Sequence, residues 1–116
     1  MNKLQIKENL EKYTRIEECP IRNIISHFTG KWSLLILCVL SENKTTRFNS
    51  IARTIPDISP KVLTSTLKKL EDERLINRKL FAEIPPRVEY SLTDKGRSLM
   101  PILYNLIDWA INNHEK

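Results

Sequence analysis

The feature that most restricts the fold is a change of hydrophobic period after residue 73. Residues 59–73 begin with Ser-Pro, which is typical of a helix N-cap and first helical position, and continue with leucines at helical spacing. Residues 75–81 and 88–92 instead alternate with a period of two on either side of a short connection. The leucines of the helical stripe are Leu63, Leu67 and Leu70. A capped helix followed directly by a β-hairpin is therefore predicted.

Helices are also predicted on both sides of this unit. They cover residues 21–29, 32–40, 48–55 and 93–113, the last of which is capped by Thr93-Asp94 and contains Pro101. The short helix, the turn at Pro56-Asp57 and the capped helix form a helix-turn-helix, and the hairpin forms its wing. The predicted fold class is mainly α with a small two- to three-stranded antiparallel β wing (α+β), a winged helix-turn-helix.

The chain is predicted to divide into two parts. Residues 1–18 are charge-dense and carry a thin apolar stripe, so they form either an N-terminal arm or a dimerisation helix. Residues 19–116 form the winged helix-turn-helix domain with a C-terminal dimerisation helix. The total of 116 residues suits one ordinary core and is too short for a large substrate site enclosed between two lobes.

The charge balance favours a polyanionic partner. The formal net charge of +5 attracts phosphate backbones, whereas the mixed charge of residues 1–18 does not suit a membrane surface. The charged N-terminus lacks the apolar core of a signal peptide, and the longest apolar run, 34–40, is far below the ~20 residues that span a bilayer. We therefore expect a cytoplasmic protein without membrane contact, in which the thiols of Cys19 and Cys38 are reduced.

The capped helix divides into a core side and a polar side. Opposite the leucine stripe lie short polar and basic side chains that can reach base edges and phosphates, and the helix start can hold a phosphate. The predicted contacts with double-stranded DNA are Ser59, Lys61, Thr64, Ser65 and Lys68. A solvated helix face would look similar taken alone. The N-terminal part of this face carries no acidic residue, however, whereas Glu71-Asp72-Glu73 gather at the C-terminal end.

The hairpin adds positive charge through Arg78, Lys79 and Arg87. Pro85-Pro86 stiffens the tip beside Arg87, so less entropy is lost when the tip docks on the DNA backbone or in the minor groove. For Arg78 and Lys79, ordinary surface charge is an equally good interpretation. Arg87 is the favoured contact of the wing.

The last helix carries two apolar stripes, although a helix in a monomer needs only one. The first consists of Leu99, Ile102, Leu103, Leu106 and Ala110. The second is the predicted dimer interface and consists of Met100, Tyr104, Ile107 and Ile111. A second copy of the chain is the preferred cover, because two-fold DNA sites match two-fold proteins, and residues 1–18 of the same chain are the alternative. Trp109 is expected in an interface or in the core.

Catalysis, cofactor binding and metal binding are not expected. The chain has two histidines, His27 and His114, and two glycines, Gly30 and Gly96. No phosphate-cradling loop can be built from these glycines, and the Cys/His spacing matches no zinc site. A winged helix that binds only protein is the alternative from another class. It predicts that the basic residues can be lost without any change in DNA affinity.

Several short motifs resemble the HxlR family of bacterial regulators, a MarR-like branch of winged-helix proteins. The similarity runs from Cys19 to about Trp109 and is most specific in the wing. The motifs are Cys19-Pro20, Gly30-Lys31-Trp32, Arg47-Phe48-Asn49, Ile55-Pro56, Ile58-Ser59, Leu63-Thr64 and Pro85-Pro86-Arg87-Val88-Glu89-Tyr90-Ser91-Leu92-Thr93. The resemblance implies a homodimer joined by its terminal helices that binds operator DNA, usually as a repressor. The recognition helix would occupy the major groove.

The resemblance also draws attention to Cys19 and Arg74. Some members of the family sense electrophiles or oxidants through a cysteine at the position of Cys19. Neighbouring Arg22 and a helix N-terminus favour the thiolate while two glutamates oppose it, so a redox sensor and a structural residue both stay open. Cys38 is expected to be inert core. Arg74 stands where the family often has glycine, and we expect it at positive φ at a cost of about 1 kcal/mol.

Overall fold

The computed structural model describes residues 2–13 and 31–114. The predicted helix 21–29 and the residues Cys19, Pro20 and His27 lie outside the described residues. The chain divides into two units between Lys31 and Trp32. None of the helices within the described ranges is long and apolar enough to cross a bilayer.

Helix α1, Lys3–Tyr13, begins with two reciprocal hydrogen bonds. The Gln5 backbone N–H donates to Asn2 Oδ1 at 2.9 Å, and the Asn2 backbone N–H donates to Gln5 Oε1 at 3.0 Å. This pair is a capping box, which satisfies donors that a helix start leaves without intrahelical partners. Leu4 and Ile6 remain exposed. The sequence pattern therefore forms a helix here, and two of its apolar side chains are exposed.

From Lys31 onward the elements follow the predicted order. They are α2 Lys31–Ser41, β1 Thr46–Arg47, α3 Phe48–Thr54, α4 Pro60–Asp72, β2 Ile76–Phe81, β3 Arg87–Leu92 and α5 Asp94–Asn113. The strands form one antiparallel sheet in the order β1-β3-β2. This confirms the predicted mainly α fold with a small β wing, and the sheet has three strands.

The core of this unit draws on every helix from α2 to α5 and on one face of the sheet. Fully burying one such aliphatic side chain stabilises the fold by about 1.5–3 kcal/mol. The most deeply buried of these side chains are Ile36, Leu37, Leu40, Ile51, Leu63, Leu67, Leu70 and Ile76. The leucine stripe of the capped helix is therefore buried, as predicted.

Helix α2 is less enclosed than its composition predicts. Ile36 and Leu37 have no exposed surface, but Leu35 is 43% exposed and Cys38 is only half-buried. The sequence 32–40 is apolar almost all round, which is typical of a helix in the middle of a core, but Leu35 lies on a side of the helix that stays open. At its C-terminal end, Ser41 Oγ donates to the Cys38 carbonyl at 2.6 Å.

Helix α4 ends in a Schellman motif built around a non-glycine residue. The Leu75 N–H donates to the Leu70 carbonyl at 3.0 Å, and the Arg74 N–H donates to the Glu71 carbonyl at 2.9 Å. Arg74 has a φ of 60°, which confirms the predicted positive φ. Leu70 and Leu75 are both buried, and such an apolar pair commonly accompanies this motif. The motif turns the chain directly from the helix into β2.

Helix α5 is anchored at its start by Thr93. Its hydroxyl accepts a hydrogen bond from the Gly96 N–H at 3.0 Å, the N-cap contact, and donates to the Arg74 carbonyl at 2.6 Å. Gly96 is buried so close to the Leu75 backbone that an added methyl group would overlap the Leu75 carbonyl oxygen. Pro101 lies inside the helix, as predicted.

Candidate nucleic-acid interface

Helix α4 presents two chemically different sides. Leu63, Leu67 and Leu70 pack into the core, and Thr66 is buried on the same side. The opposite side is exposed and contains the predicted residues Lys61, Thr64, Ser65 and Lys68. We call these four residues the α4 face. The buried stripe fixes the rotation of the helix, so the α4 face is held outward on a rigid element.

The start of α4 is capped by Ser59. The Ser59 hydroxyl oxygen accepts the Val62 N–H at 3.1 Å, and Pro60 occupies the first helical position, where a missing N–H does no harm. The first turn contains no acidic residue. The predicted site residue Ser59 therefore has a defined structural task, and the positive end of the helix dipole is not neutralised from within its own first turn.

The two hydroxyl groups on the α4 face donate to their own helix. Thr64 Oγ1 donates to the Pro60 carbonyl at 2.8 Å, and Ser65 Oγ donates to the Val62 carbonyl at 3.0 Å. A hydroxyl that has placed its hydrogen still offers oxygen lone pairs. In this conformation the two side chains are therefore suited to accept hydrogen bonds from a base amino group or to contact a thymine methyl group.

Lys68 forms an ion pair, whereas Lys61 has no acidic partner among the described residues. Lys68 Nζ lies 3.1 Å from Asp72 Oδ1, one helical turn away, and both side chains are largely exposed. The hydrogen bond and charge of Asp72 raise the pKa of Lys68, so the ammonium stays charged at neutral pH. An exposed pair of this kind contributes little to stability and is readily exchanged for another anion. Among the described residues no acidic side chain pairs with Lys61, which lies at the N-terminal end of the face.

The wing places its basic residues on two different faces of the sheet. Adjacent residues of a strand point to opposite sides, and residues paired across strands share a side. Arg78 pairs with the buried Tyr90 and lines a cleft with Thr64 and Lys68 of α4. Lys79 pairs with Glu89 and thus lies on the other side. Arg78 joins the α4 face, whereas Lys79 does not.

Arg87 is enclosed rather than free. Its Nη2 lies 3.3 Å from Glu83 Oε1, and its Nε lies 3.0 Å from Glu89 Oε2. The guanidinium stands over the Phe81 ring at 4.1 Å from the ring centroid. Nε is buried and its N–H is not aligned for a hydrogen bond, so the Glu89 contact is purely an ion pair. The side chain is 26% exposed, so the predicted DNA contact of Arg87 would be made by a partly enclosed guanidinium.

One basic residue of this region was missing from the predicted site. Arg47 in β1 pairs directly with Glu89, and it lines a cleft with Glu83 and Arg87. Lys79, Arg47 and Arg87 therefore surround Glu89 on one face of the sheet. A two-residue strand shows no alternation of its own, so only the Arg47-Phe48-Asn49 motif marked this segment in the sequence.

Helix α5 exposes apolar residues, but not quite the predicted set. Met100 is only 4% exposed and belongs to the core of the protomer, so its assignment to a dimer interface was wrong. Ile107 is half-buried. Tyr104 is 49% exposed, and its hydroxyl donates to Ser41 Oγ of α2 at 2.7 Å. The exposed apolar side chains of α5 are Ile102, Tyr104, Leu106, Trp109 and Ile111.

The remaining candidate chemistry is sparse. Burial, and secondly the charge of Glu42, raise the pKa of the Cys38 thiol, which disfavours the reactive thiolate. Within residues 2–13 and 31–114, no group of His, Cys, Asp and Glu side chains is arranged to hold a metal ion. Cys19 lies outside the described residues.

Taken together, the capped helix α4, the preceding short helix and the three-stranded wing define a winged helix-turn-helix protein. The HxlR-like helix-turn-helix family model matches residues 27–116. The chain therefore belongs to the HxlR family, and its relatives are transcriptional regulators of the helix-turn-helix type. The predicted family is confirmed.

Relatives and solved structures agree with this assignment. A helix-turn-helix-type transcriptional regulator of Methanothermobacter thermautotrophicus, itself uncharacterized, is 47% identical over 92 residues, which cover 79% of this chain and 70% of the relative. The oxidized form of the redox regulator HypR superimposes with a TM-score of 0.75 at 33% identity and covers 84% of this chain and 100% of HypR. A MarR-family protein from Porphyromonas gingivalis gives a TM-score of 0.74 at 41% identity, with 85% and 96% of the two chains covered.

Proposed function

We propose that this protein is a sequence-specific DNA-binding repressor that acts in the cytoplasm as a homodimer. The observation that supports the proposal most strongly is the α4 face. Its lysine and hydroxyl side chains are exposed, while the leucines on the opposite side of the same helix are buried in the core. In a helix-turn-helix regulator this helix enters the major groove. Lys61, Thr64 and Ser65 contact base edges and phosphates, and Lys68 exchanges Asp72 for a phosphate.

The wing supplies a second contact beside the recognition helix. Arg78 lies next to Thr64 and Lys68 and extends the α4 face toward the hairpin. Lys79 and Arg87 lie on the outer face of the sheet, where they meet the DNA backbone or the minor groove near the tip. Such phosphate contacts raise affinity without reading sequence, so base selection belongs to α4.

The homodimer uses the terminal helices. The apolar side chains that α5 exposes form an area that water-exposed monomers rarely carry, and a second copy would cover it. Tyr104, Ile107 and Ile111 keep the predicted interface role in this proposal. Ile102, Leu106 and Trp109 form a second exposed edge on the opposite side of the same helix, and we assign this edge to the interface as well. Residues 1–18 keep the expected role of an N-terminal arm or dimerisation helix.

The proposal is tested by selecting tight-binding duplexes from a random pool and measuring fluorescence anisotropy at several salt concentrations. Lys61→Ala should weaken binding about tenfold and flatten the salt dependence by about one counterion. Lys69→Ala is the matched control. It removes the same charge from an exposed position of the same helix outside the α4 face.

A smaller effect of the control is expected. Equal effects of Lys61→Ala and Lys69→Ala would mean that the α4 face does not read DNA. If no duplex is enriched at any salt, DNA binding itself fails, and a module that binds only protein becomes the better account.

A redox switch at Cys19 is the second candidate, and the likeness to the redox regulator HypR supports it. Two Cys19 thiols, one from each protomer of the proposed dimer, would form a disulfide as diamide takes up their two electrons and two protons, and this would change the affinity for the selected duplex. The raised pKa of Cys38 makes that thiol the poorer nucleophile, so Cys38→Ser is the matched control. Sensitivity should vanish in Cys19→Ser and persist in Cys38→Ser. Equal sensitivity of Cys19→Ser and the unsubstituted protein would contradict this role.

A further inference from the structure

The two glutamates that pair with Arg87 differ in how they are held. We infer that they act on DNA binding in opposite directions: Glu89 positions the Arg87 guanidinium for a phosphate, whereas Glu83 competes with that phosphate. This inference rests on the proposed function and refines the role of the wing within it.

Glu89 is built into the sheet. It lies on β3, the central strand, two residues from Arg87 and therefore on the same face. Its side chain is only 17% exposed, and its carboxylate lies 3.0 Å from Arg87 Nε. The Phe81 ring, directly opposite Arg87 on β2, covers one face of the guanidinium. The strand register therefore fixes Glu89, whose charge holds the Arg87 guanidinium in place, while the Phe81 ring restricts the plane of the guanidinium.

Glu83 is attached only through the wing tip. It lies between the end of β2 at Phe81 and the start of β3 at Arg87, and its side chain is 50% exposed. It touches the Nη2 edge of the guanidinium at 3.3 Å. An exposed ion pair of this kind is weak, whereas arginine binds a phosphate with two parallel charge-assisted hydrogen bonds. A phosphate can therefore displace Glu83 without disturbing the strands.

The neighbouring cations keep this face attractive to DNA while Glu89 stays in place. Glu89 pairs across the sheet with Arg47 on one side and Lys79 on the other. Together with Arg87, three positive charges surround one sheet-bound carboxylate. The local charge remains positive once Glu83 has moved away, so Glu89 need not be displaced for phosphate to bind.

Because of these roles, the same Glu→Gln substitution should change DNA affinity in opposite directions at the two positions. Glu83→Gln removes the competitor and should tighten binding about two- to fivefold, whereas Glu89→Gln releases the guanidinium and should weaken binding by a similar factor. If both glutamates merely repelled DNA, both substitutions would tighten binding. Loss of Arg87 removes what Glu89 positions, so in an Arg87→Ala background Glu89→Gln should no longer weaken binding.

The experiment measures anisotropy of a random-sequence duplex of about 30 base pairs between roughly 50 and 200 mM salt, because phosphate contacts are independent of sequence. The variants are Glu83→Gln, Glu89→Gln, Glu89→Asp, Arg87→Ala and the double variant Arg87→Ala/Glu89→Gln. Glu89→Asp retains the carboxylate and should recover part of the lost affinity. Thermal melting monitors folding in each case.

The outcomes separate this inference from the proposed function. Tighter binding by both glutamine variants, or weaker binding by Glu83→Gln, overturns the inference while DNA binding by the unsubstituted protein stands. Absence of binding by the unsubstituted protein to the random-sequence duplex overturns the inference, and absence of binding to the selected duplex as well overturns the proposed function. If Glu89→Gln does not fold, Glu89→Asp decides the matter: loss of positioning predicts weaker binding by this variant, whereas simple repulsion predicts unchanged binding because the charge is kept.

Discussion

At the residue scale, Arg74 is the position where this sequence departs most clearly from the backbone it must adopt. Its φ of 60° lies in the left-handed region, which costs a side chain bearing a Cβ about 1 kcal/mol relative to glycine. The Schellman bonds around it and the hydrogen bond from Thr93 to its carbonyl hold this conformation. The stabilisation from these hydrogen bonds therefore outweighs the backbone strain at Arg74.

Arg74→Gly should therefore stabilise the fold by about 0.5–1 kcal/mol. Chemical denaturation followed by circular dichroism measures the change in the free energy of unfolding. Arg97→Gly is the control, because Arg97 lies within α5, where glycine should destabilise by a similar amount. Destabilisation by both substitutions would show that the Arg74 side chain makes a contact worth more than the relieved strain.

Arg87 shows how far residue type alone can mislead. A basic residue beside two prolines at a hairpin tip is typical of an exposed DNA contact, yet this one is enclosed by two carboxylates and an aromatic ring. Its partners come from the tip and from both long strands of the wing. The strand register brings them together, and sequence spacing alone does not reveal which side chains will share a face.

At the element scale, the caps and the periodicities were predictable because they depend on local interactions. Ser59-Pro60 and Thr93 were predicted as helix starts, and both act as N-caps in the structure. The change of hydrophobic period at the wing predicted the boundaries of β2 and β3 to within one residue. Strand β1 was not predicted, because a strand of two residues shows no alternation. That Arg78 and Lys79 lie on opposite faces of the sheet became clear only from the pairing register of the strands.

The same lesson applies to the candidate site. The exposed side of α4 follows from helical periodicity, so all four residues of the α4 face were found from sequence. Helix α5 was harder, because its apolar residues cover more than half of its circumference. Periodicity alone does not show which part of such a wide arc the protomer buries, and Met100 was therefore assigned to the wrong side.

Thr93 joins three elements and should be the most sensitive cap. Thr93→Ala removes the bond to the Gly96 N–H and the bond to the Arg74 carbonyl, which should cost about 1–2 kcal/mol of unfolding free energy. Ser98→Ala is a fair control, because the Ser98 hydroxyl donates only to the Lys95 carbonyl within the same helix. Denaturation curves should separate the two variants, and similar midpoints would refute the dual role.

At the scale of the whole molecule, the proposed homodimer would bury the apolar side chains that α5 exposes. Leu106→Glu places a charge among them and should convert the proposed homodimer to monomer, as measured by sedimentation velocity. Asn105→Glu adds the same charge at the neighbouring exposed position on the polar side of the helix and should leave the dimer intact. A monomeric unsubstituted protein, or an unchanged Leu106→Glu dimer, would contradict the proposed interface.

DNA recognition depends on the helix caps and the buried leucines, because they orient the α4 face. It also depends on the proposed dimer, which would present two such faces to one duplex. Half-sites about one helical turn apart would then bind both protomers at once, which multiplies affinity without any new contact. Disruption of the dimer should therefore weaken operator binding even though no DNA-contacting residue has changed.

The most direct test of the central claim is the map of backbone amide chemical shifts on adding the selected duplex. We expect the largest changes in residues 59–68 and in the wing at 78–87, with α5 perturbed little. Changes concentrated on α5, or spread evenly over the basic surface without a maximum at the start of α4, would contradict the claim that this helix reads DNA.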